Sequence, residues 1–520
     1  MELEKIAEIE HATWASRKEM MRLGIAMLFI VGIMLFVGSR GSAINHMLVV
    51  AAMIGGYMAM NIGANDVANN VGPAVGSRAI TLTGAILIAA IFEAMGALVA
   101  GGDVVGTIKK GIIDPALISD ADTFVWLMMG ALLAGALWLN LATAIGAPVS
   151  TTHSIVGGVL GAGIAAGGWG IANWEKMGQI VASWVISPVM GGIIAAAFLY
   201  MVKRSIIYRS DMVDAAKRMV PILIGIMTWA FATYLALKGF KKLWKVDMPT
   251  ALAIGAAAGV LMLLLARPLI NRVADRLQND RQSVNSLFTV PLIFAAAMLS
   301  FAHGANDVAN AIGPLAAIND TLTTGGIAAK APIPLWVMMV GALGISIGLA
   351  LYGPKLIRTV GSEITELDQI RAFCIAIAAA ITVIVATQLG LPVSSTHIAV
   401  GAVFGVGFLR EFLKANFARM VEEIEMHHQG TDRQEVEAFI EKFKTAGLDE
   451  QALMLKQLKE HKANAELTKK ERKGLKKVYR HELVKRSALL KIVAAWIVTV
   501  PASALMAAML YFTIRGMMMP

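Results

Sequence analysis

The chain has 520 residues, of which 57% are hydrophobic and 16% charged, and its mean hydropathy is +0.66. A soluble globular protein carries about 25% charged residues, so a bilayer rather than water is the expected solvent. The formal charge of +10 fits the Lys/Arg bias of cytoplasmic loops and argues against nucleic-acid binding. The single cysteine, Cys374, excludes an intrachain disulfide and a cysteine metal cluster.

Apolar runs recur at 21–38, 47–60, 82–100, 124–145, 180–202, 220–237, 251–266, 287–301, 335–352, 372–388 and 489–512. A helical crossing needs roughly 17–25 residues, so these runs predict an all-α polytopic membrane protein with about ten to twelve transmembrane helices. The first run follows Arg17, Lys18 and Arg22. With the acidic start MELEKIAEIE and no small-residue cleavage site, it is expected to be an uncleaved extra helix within an N-terminal segment, 1–44.

The stretch GANDVAN at 63–69 is written again without change at 304–310, and PVSTTH at 148–153 is answered by PVSSTH at 392–397. IVASWVISPV at 180–189 further resembles IVAAWIVTVP at 492–501. A duplication of this kind predicts two transmembrane repeats, 45–202 and 287–409, with 487–520 as the last helix of the second. Such halves enclose a site between them and insert with opposite topology if each has an odd number of crossings. Between the halves lies a basic linker, 203–286, with two spans. Its richer loops (Lys203, Arg204, Arg209, Lys217, Arg218 and Arg267, Arg272, Arg276, Arg281) fall on one side, expected to be the cytoplasm. The stretch 410–486 is dense in charge of both signs and reads as a soluble helical insert, expected on the cytoplasmic side, with a basic cluster at 469–477 that could meet lipid headgroups.

Within each GANDVAN copy, Gly63, Gly72 and Pro73, or Gly304, Gly313 and Pro314, flank a polar core and predict a broken helix. Irregular backbone at membrane depth is tolerated only where it lines a cavity or binds an ion. Asp66 and Asp307 supply anionic oxygen, and Asn65, Asn69, Asn306 and Asn310 amide oxygen, a set that suits a hard cation such as Na⁺ better than a soft transition metal. A helix–helix contact glued by small residues and asparagines is the alternative for one copy, less so for two.

PVSTTH and PVSSTH predict the tips of re-entrant hairpins, where free N–H groups and the hydroxyls of Ser150, Thr151, Thr152, Ser394, Ser395 and Thr396 open a helix and form an anion site. His153 and His397 end the tips as candidate proton carriers or structural residues. Glu93 lies mid-span and needs a partner or water. His303 precedes the second GANDVAN where Ile62 precedes the first. GAGIAAGGWG at 161–170 lacks the GKS/T ending of a nucleotide loop, and close helix packing explains it. No P-loop appears, so energy is expected from an ion or substrate gradient rather than an ATPase, and no general base or metal-water site points to an enzyme.

At these motifs the chain resembles the inorganic phosphate transporter (PiT) family. The resemblance implies symport of phosphate with Na⁺ or H⁺ through inverted repeats with two re-entrant hairpins. It places phosphate against Ser150, Thr151, Ser394 and Ser395, and cations on Asn65, Asp66, Asn306 and Asp307. Some members resemble proton-coupled carriers of metal–phosphate complexes, with an aromatic- and His-containing first signature. Residues 62–66, IGAND, lack that form, which favours Na⁺. The family's soluble region commonly lies between the halves, whereas here it precedes the last span. Expected partners are inorganic phosphate, the coupling cation and the bilayer, with a homo-oligomer compatible. Sulfate permeation, a channel and a phosphate sensor built on the insert are the rival readings.

Overall fold

The computed structural model describes residues 2–40, 45–118, 120–147, 149–238, 246–327, 333–363, 367–425 and 486–518. The helices are α1 (Glu2–Gly38), α2 (His46–Gly76), α3 (Leu82–Ala100), α4 (Gly102–Gly106), α5 (Ala121–Ile145), α6 (Thr151–Gly167), α7 (Trp174–Val202) and α8 (Met212–Lys238). They continue as α9 (Met248–Ala274), α10 (Arg281–Ser286), α11 (Thr289–Asp307), α12 (Ala309–Thr324), α13 (Leu335–Glu363), α14 (Gln369–Gln388), α15 (Ser395–Glu425) and α16 (Arg486–Met518). Among the described residues there is no strand, only an isolated bridge between Ile113 and Ala172.

Among the described residues, twelve helical stretches are long and apolar enough to cross a membrane, at the upper end of the sequence expectation. One of them, Ser395–Leu413, is absent from the apolar runs because Gly401, Gly405 and Gly407 dilute it. Residues 426–485, most of the expected insert, lie outside the described residues; its first stretch continues α15 as helix to Glu425.

The first GANDVAN copy is not the broken helix that its glycines suggest, and the second is interrupted at a single residue. In the first, α2 runs unbroken for 31 residues, with Pro73 in its last turn. In the second, the only interruption is Val308, which keeps helical angles (φ −56°, ψ −31°) between α11 and α12. Continuous helix prevails because intrahelical bonds are the means by which a backbone in apolar surroundings satisfies its N–H and C=O groups. The glycines serve packing instead. A methyl group on Gly63 would lie 2.0 Å from the carbonyl oxygen of Ile345 on α13, and one on Gly304 would lie 2.1 Å from that of Glu93 on α3.

The arms that lead into the two tips are longer than a re-entrant hairpin implies. Leading arms α5 and α14, at 25 and 20 residues, are each long enough to cross, since the apolar pattern before the tip extends the same helix. Both arms end alike. Gly146 (φ +78°) and Gly390 (φ +65°) take the left-handed conformation, and Ala147 N–H and Leu391 N–H reach back to Ala142 and Ala386 carbonyls at 2.8 and 3.0 Å. These are Schellman closures, which only a residue without a Cβ enters without strain.

The two halves interlock. Gly157 and Gly161 of α6 press against the backbone of Val500 and Ala504 on α16, while Gly401 and Gly405 of α15 press against Pro188 and Gly192 on α7. The similar segments 180–189 and 492–501 thus each support the hairpin of the other half. A short arm from α4 through a π-helical turn at Thr107–Gly111 ties this frame together. Thr107 Oγ1 donates to Gly390 O of the second tip at 2.8 Å, and buried Lys109 pairs with Asp320 on α12. The two basic loops of the linker lie side by side, joined where Asn279 Oδ1 accepts from Met212 N–H at 2.8 Å. At the same end, Asp280 caps α10, and the hydrogen bonds it accepts from the backbone and side chain of Ser283 hold its carboxyl below the usual range.

Gly405→Val would set its side chain 2.1 Å from the Gly192 carbonyl, where backbone must move. Overpacking of this kind costs about 1–3 kcal/mol or more. The expected outcome is a lowered melting temperature of purified protein, with Gly24→Ala, where nothing lies within 4 Å, unchanged.

Candidate functional site

Three Asx side chains of α2, three of α11 and α12, and the residues opening α6 and α15 are brought to one buried place. Asn65, Asp66, Asn69, Asn306, Asp307 and Asn310 are each no more than 3% exposed, as are Ser150, Thr151, Thr152, Ser394, Ser395 and Thr396. Every candidate phosphate and cation residue read from the motifs therefore belongs to a single constellation.

Its frame is built twice from the same bonds. Asn65 Nδ2 donates to Thr143 Oγ1 (3.0 Å) and Ala147 O (3.4 Å); Asn306 Nδ2 donates to Thr387 Oγ1 (2.9 Å) and Leu391 O (3.3 Å). Each asparagine thus clamps the Schellman turn of the tip belonging to its own half. Asn69 Nδ2 donates across the halves to Thr396 Oγ1 (2.8 Å), and Asn310 Nδ2 to Thr151 (3.3 Å) and Thr152 (3.2 Å). The tips meet: Thr152 Oγ1 donates to Val393 O at 2.9 Å and Thr396 Oγ1 reaches Val149 O at 3.4 Å.

Ser150 and Ser394 cap α6 and α15, their Oγ atoms accepting from His153 and His397 N–H at 3.1 and 3.2 Å. Two helix N-termini, each with a partial positive charge, consequently face the carboxylates. Ser395 and Thr151 hydroxyls donate to Asp307 Oδ2 at 3.1 and 3.4 Å, and Thr396 to Asp66 Oδ1 at 3.2 Å. The hydroxyls assigned to an anion and the carboxylates assigned to cations are bonded to one another.

His303 breaks the twofold correspondence. Its Nε2 lies 3.1 Å from Asp307 Oδ2 and 3.6 Å from Asp66 Oδ2, and its Nδ1 lies 3.1 Å from Glu93 Oε2. Glu93 gains the partner that the sequence could not name, and a second in Asn70, whose Nδ2 donates to Oε1 at 2.8 Å. Asp66, His303 and Asp307 each present a ligand atom within 4.8 Å of the others, so the two expected cation seats adjoin as one cluster. Buried oxygens Asp66 Oδ2, Asp307 Oδ1, Asn306 Oδ1 and Asn310 Oδ1 have no hydrogen-bond donor from the protein. All four are hard acceptors, the ligand type that a hard cation takes.

His153 and His397 point elsewhere. Their rings form a row of contacts, Trp184 tilted on His153 at 3.7 Å, His153 edge-on to His397 at 4.4 Å and His397 stacked on Trp496 at 3.6 Å between centroids. Trp184 also donates to Pro392 O of the second tip at 3.1 Å. Sequence reasoning passed over Thr143, Thr387, Gly146, Gly390 and the two tryptophans. The shared pattern T-x-x-G-x-P-V-S at 143–150 and 387–394, and the Trp common to 180–189 and 492–501, were the signals that could have found them.

A model of the phosphate transporter family matches residues 62–507, which span both motif pairs and every side chain just described. The chain belongs to the phosphate transporter family. A Helicobacter pylori (strain J99) protein named "Putative phosphate permease" is 55% identical over 523 residues, covering 98% of each chain. A Pyrococcus horikoshii protein similarly named is 42% identical over 373 residues, 71% of this chain and 90% of the relative. The fold also matches a solved structure, "The sodium-dependent phosphate transporter", with a TM-score of 0.74 and 31% identity over 91% of this chain and all of the other. Family membership and twelve candidate spans make this an integral membrane protein of phosphate transport.

His303→Ala would leave Glu93, Asp66 and Asp307 short of their shared imidazole. Removing one member of a buried charged set costs about 3–5 kcal/mol. Thermal unfolding should show a large loss for His303→Ala and a smaller one for the double variant His303→Gln with Glu93→Gln, a coupling that independent residues would lack.

Proposed function

We propose that the protein is a secondary active symporter that carries inorganic phosphate with Na⁺, its two transmembrane repeats inverted about the site and the coupling ions seated by Asn65, Asp66, Asn69, Asn306, Asp307 and Asn310. The observation that carries this reading is the bond of Thr151 and Ser395 hydroxyls to Asp307, and of Thr396 to Asp66. A hydroxyl has one proton to donate, so it serves a carboxylate or a phosphate oxygen, not both. A cation that takes over the carboxylate oxygens frees these hydroxyls, and the N–H groups of the two helix starts beside them, for the anion. Phosphate with one or two negative charges is in turn repelled by Asp66 and Asp307 until cations neutralise them. Each ligand raises the affinity of the other, which is the reciprocity a symporter needs.

Support for Na⁺ over H⁺ comes from the four orphaned oxygens and from the sodium-dependent protein that the fold resembles. His153 and His397, packed between tryptophans, are assigned a packing role that holds the tips together.

Proteoliposomes with Na⁺ or H⁺ gradients imposed one at a time test the coupling. Labelled phosphate should accumulate against its gradient with inward Na⁺, without competition by sulfate, and uptake driven by H⁺ alone would overturn the sodium assignment. Asp307→Asn should lower the apparent affinities for Na⁺ and phosphate together; a sodium curve unchanged at reduced phosphate affinity would sink the mechanism. Ser395→Ala removes one donor to a charged oxygen, worth about 1.5–3 kcal/mol, and should raise KM for phosphate roughly tenfold or more.

A further inference from the structure

A groove of about 580 Å³ runs between α7 and α14 and reaches the second tip, a volume within the roughly 300–1,000 Å³ range of ligand pockets. Its walls are Ile186 and Met190 of α7, Ile381 and Val385 of α14, and Leu391 and Val393 of the tip. The hydroxyls of Ser183 and Thr382 in the same walls donate to carbonyls of their own helices, Ile180 O at 2.6 Å and Ala378 O at 2.8 Å, and so present carbon to the groove. Hydrated phosphate would lose its solvation there without compensation. A hydrocarbon chain loses nothing.

One end of the groove is different. Lys176 stands there, in the first turn of α7, with its Nζ bonded to Gln179 Oε1 at 3.2 Å. Trp169 and Trp174 lie just before it, 71% and 51% exposed with their rings stacked, the kind of amphipathic pair that sits at headgroup level. Farther along α7, Val185, Val189 and Ile193 are more than half exposed, as expected where the helix faces lipid. A cation at the interface above an apolar slot open to the bilayer matches one chemistry, a negatively charged headgroup with a chain beneath it.

We propose that this groove binds an acyl chain of an anionic phospholipid, with the headgroup phosphate at Lys176. The bound chain presses on Leu391 and Val393, the segment leading into Ser394 and Ser395. Val393 O is also the acceptor that joins the two tips through Thr152. An occupied groove therefore stiffens the second tip, and it makes transport depend on the surrounding lipid.

The test uses the full chain in nanodiscs containing phosphatidylglycerol with a photoactivatable acyl chain, and maps the labelled peptides by mass spectrometry. Labelling should concentrate severalfold in 181–194 and 381–393 over α9, whose Leu261 and Leu264 are exposed to a similar degree. Ala182→Trp and, independently, Ala386→Phe fill opposite walls and should remove that excess. Lys176→Gln should reduce the preference for phosphatidylglycerol over phosphatidylcholine roughly fivefold, the worth of one basic residue near an anionic headgroup. Labelling of α7 and α14 no greater than that of α9 overturns the proposal, as does labelling that persists in whichever filled variant keeps the wild-type melting temperature. Competition by millimolar inorganic phosphate also overturns it, since the groove would then be a vestibule for the substrate.

Discussion

Two carboxylates, Asp66 and Asp307, are held together with an imidazole in a space that excludes water, their ligand atoms within 4.8 Å. At such a separation and an effective dielectric near 20, repulsion between two full charges is of order 3–4 kcal/mol, before any desolvation is counted. The surrounding structure answers that constraint with three hydroxyl donors, two helix N-termini and His303. None of these is local in sequence to both aspartates. The site consequently exists only while α2, α11, α6 and α15 are packed together, and whatever changes the charge at its centre must act on the tips.

Packing is arranged to serve the same end. Glycines at Gly63 and Gly304 let α13 and α3 approach the two signature helices at backbone contact, which fixes where the aspartates face. Gly161 with Ala504, and Gly405 with Gly192, do the same for the trailing arm of each hairpin. Without a strong hydrophobic force between helices in lipid, close approach of small residues supplies the association energy. Each tip is then locked from both sides, by an asparagine of its own half and by a helix of the other.

The correspondence between halves is incomplete at the centre of the site. Asn65 and Asn306 make matching bonds, and so do the caps at Ser150 and Ser394. His303 has Ile62 as its counterpart, and it alone reaches both aspartates and Glu93. A duplicated frame with an unduplicated imidazole and carboxylate, His303 and Glu93, gives the two halves different electrostatics around a shared site.

Much of this was legible beforehand. Composition and apolar run length determine a polytopic helical membrane protein, because burial in hydrocarbon demands long uncharged helices whatever their arrangement. Duplicated polar motifs pick out the residues that gather in the candidate site, since Asx and hydroxyl clusters in apolar runs need binding or pairing. The sequence misled on the local backbone. Gly63, Gly72 and Pro73 suggested a break, yet α2 stays continuous because helix satisfies its backbone groups in apolar surroundings, and Gly63 serves close packing against α13. It singled out Glu93 and His303 but was silent on their contact, which joins positions far apart in the chain. What only the tertiary structure decided is which groups share a space: periodicity and motif spacing report the neighbours of a residue along its own helix, while a desolvated charge is governed by the nearest oppositely charged or hydrogen-bonding group, from whichever helix brings it.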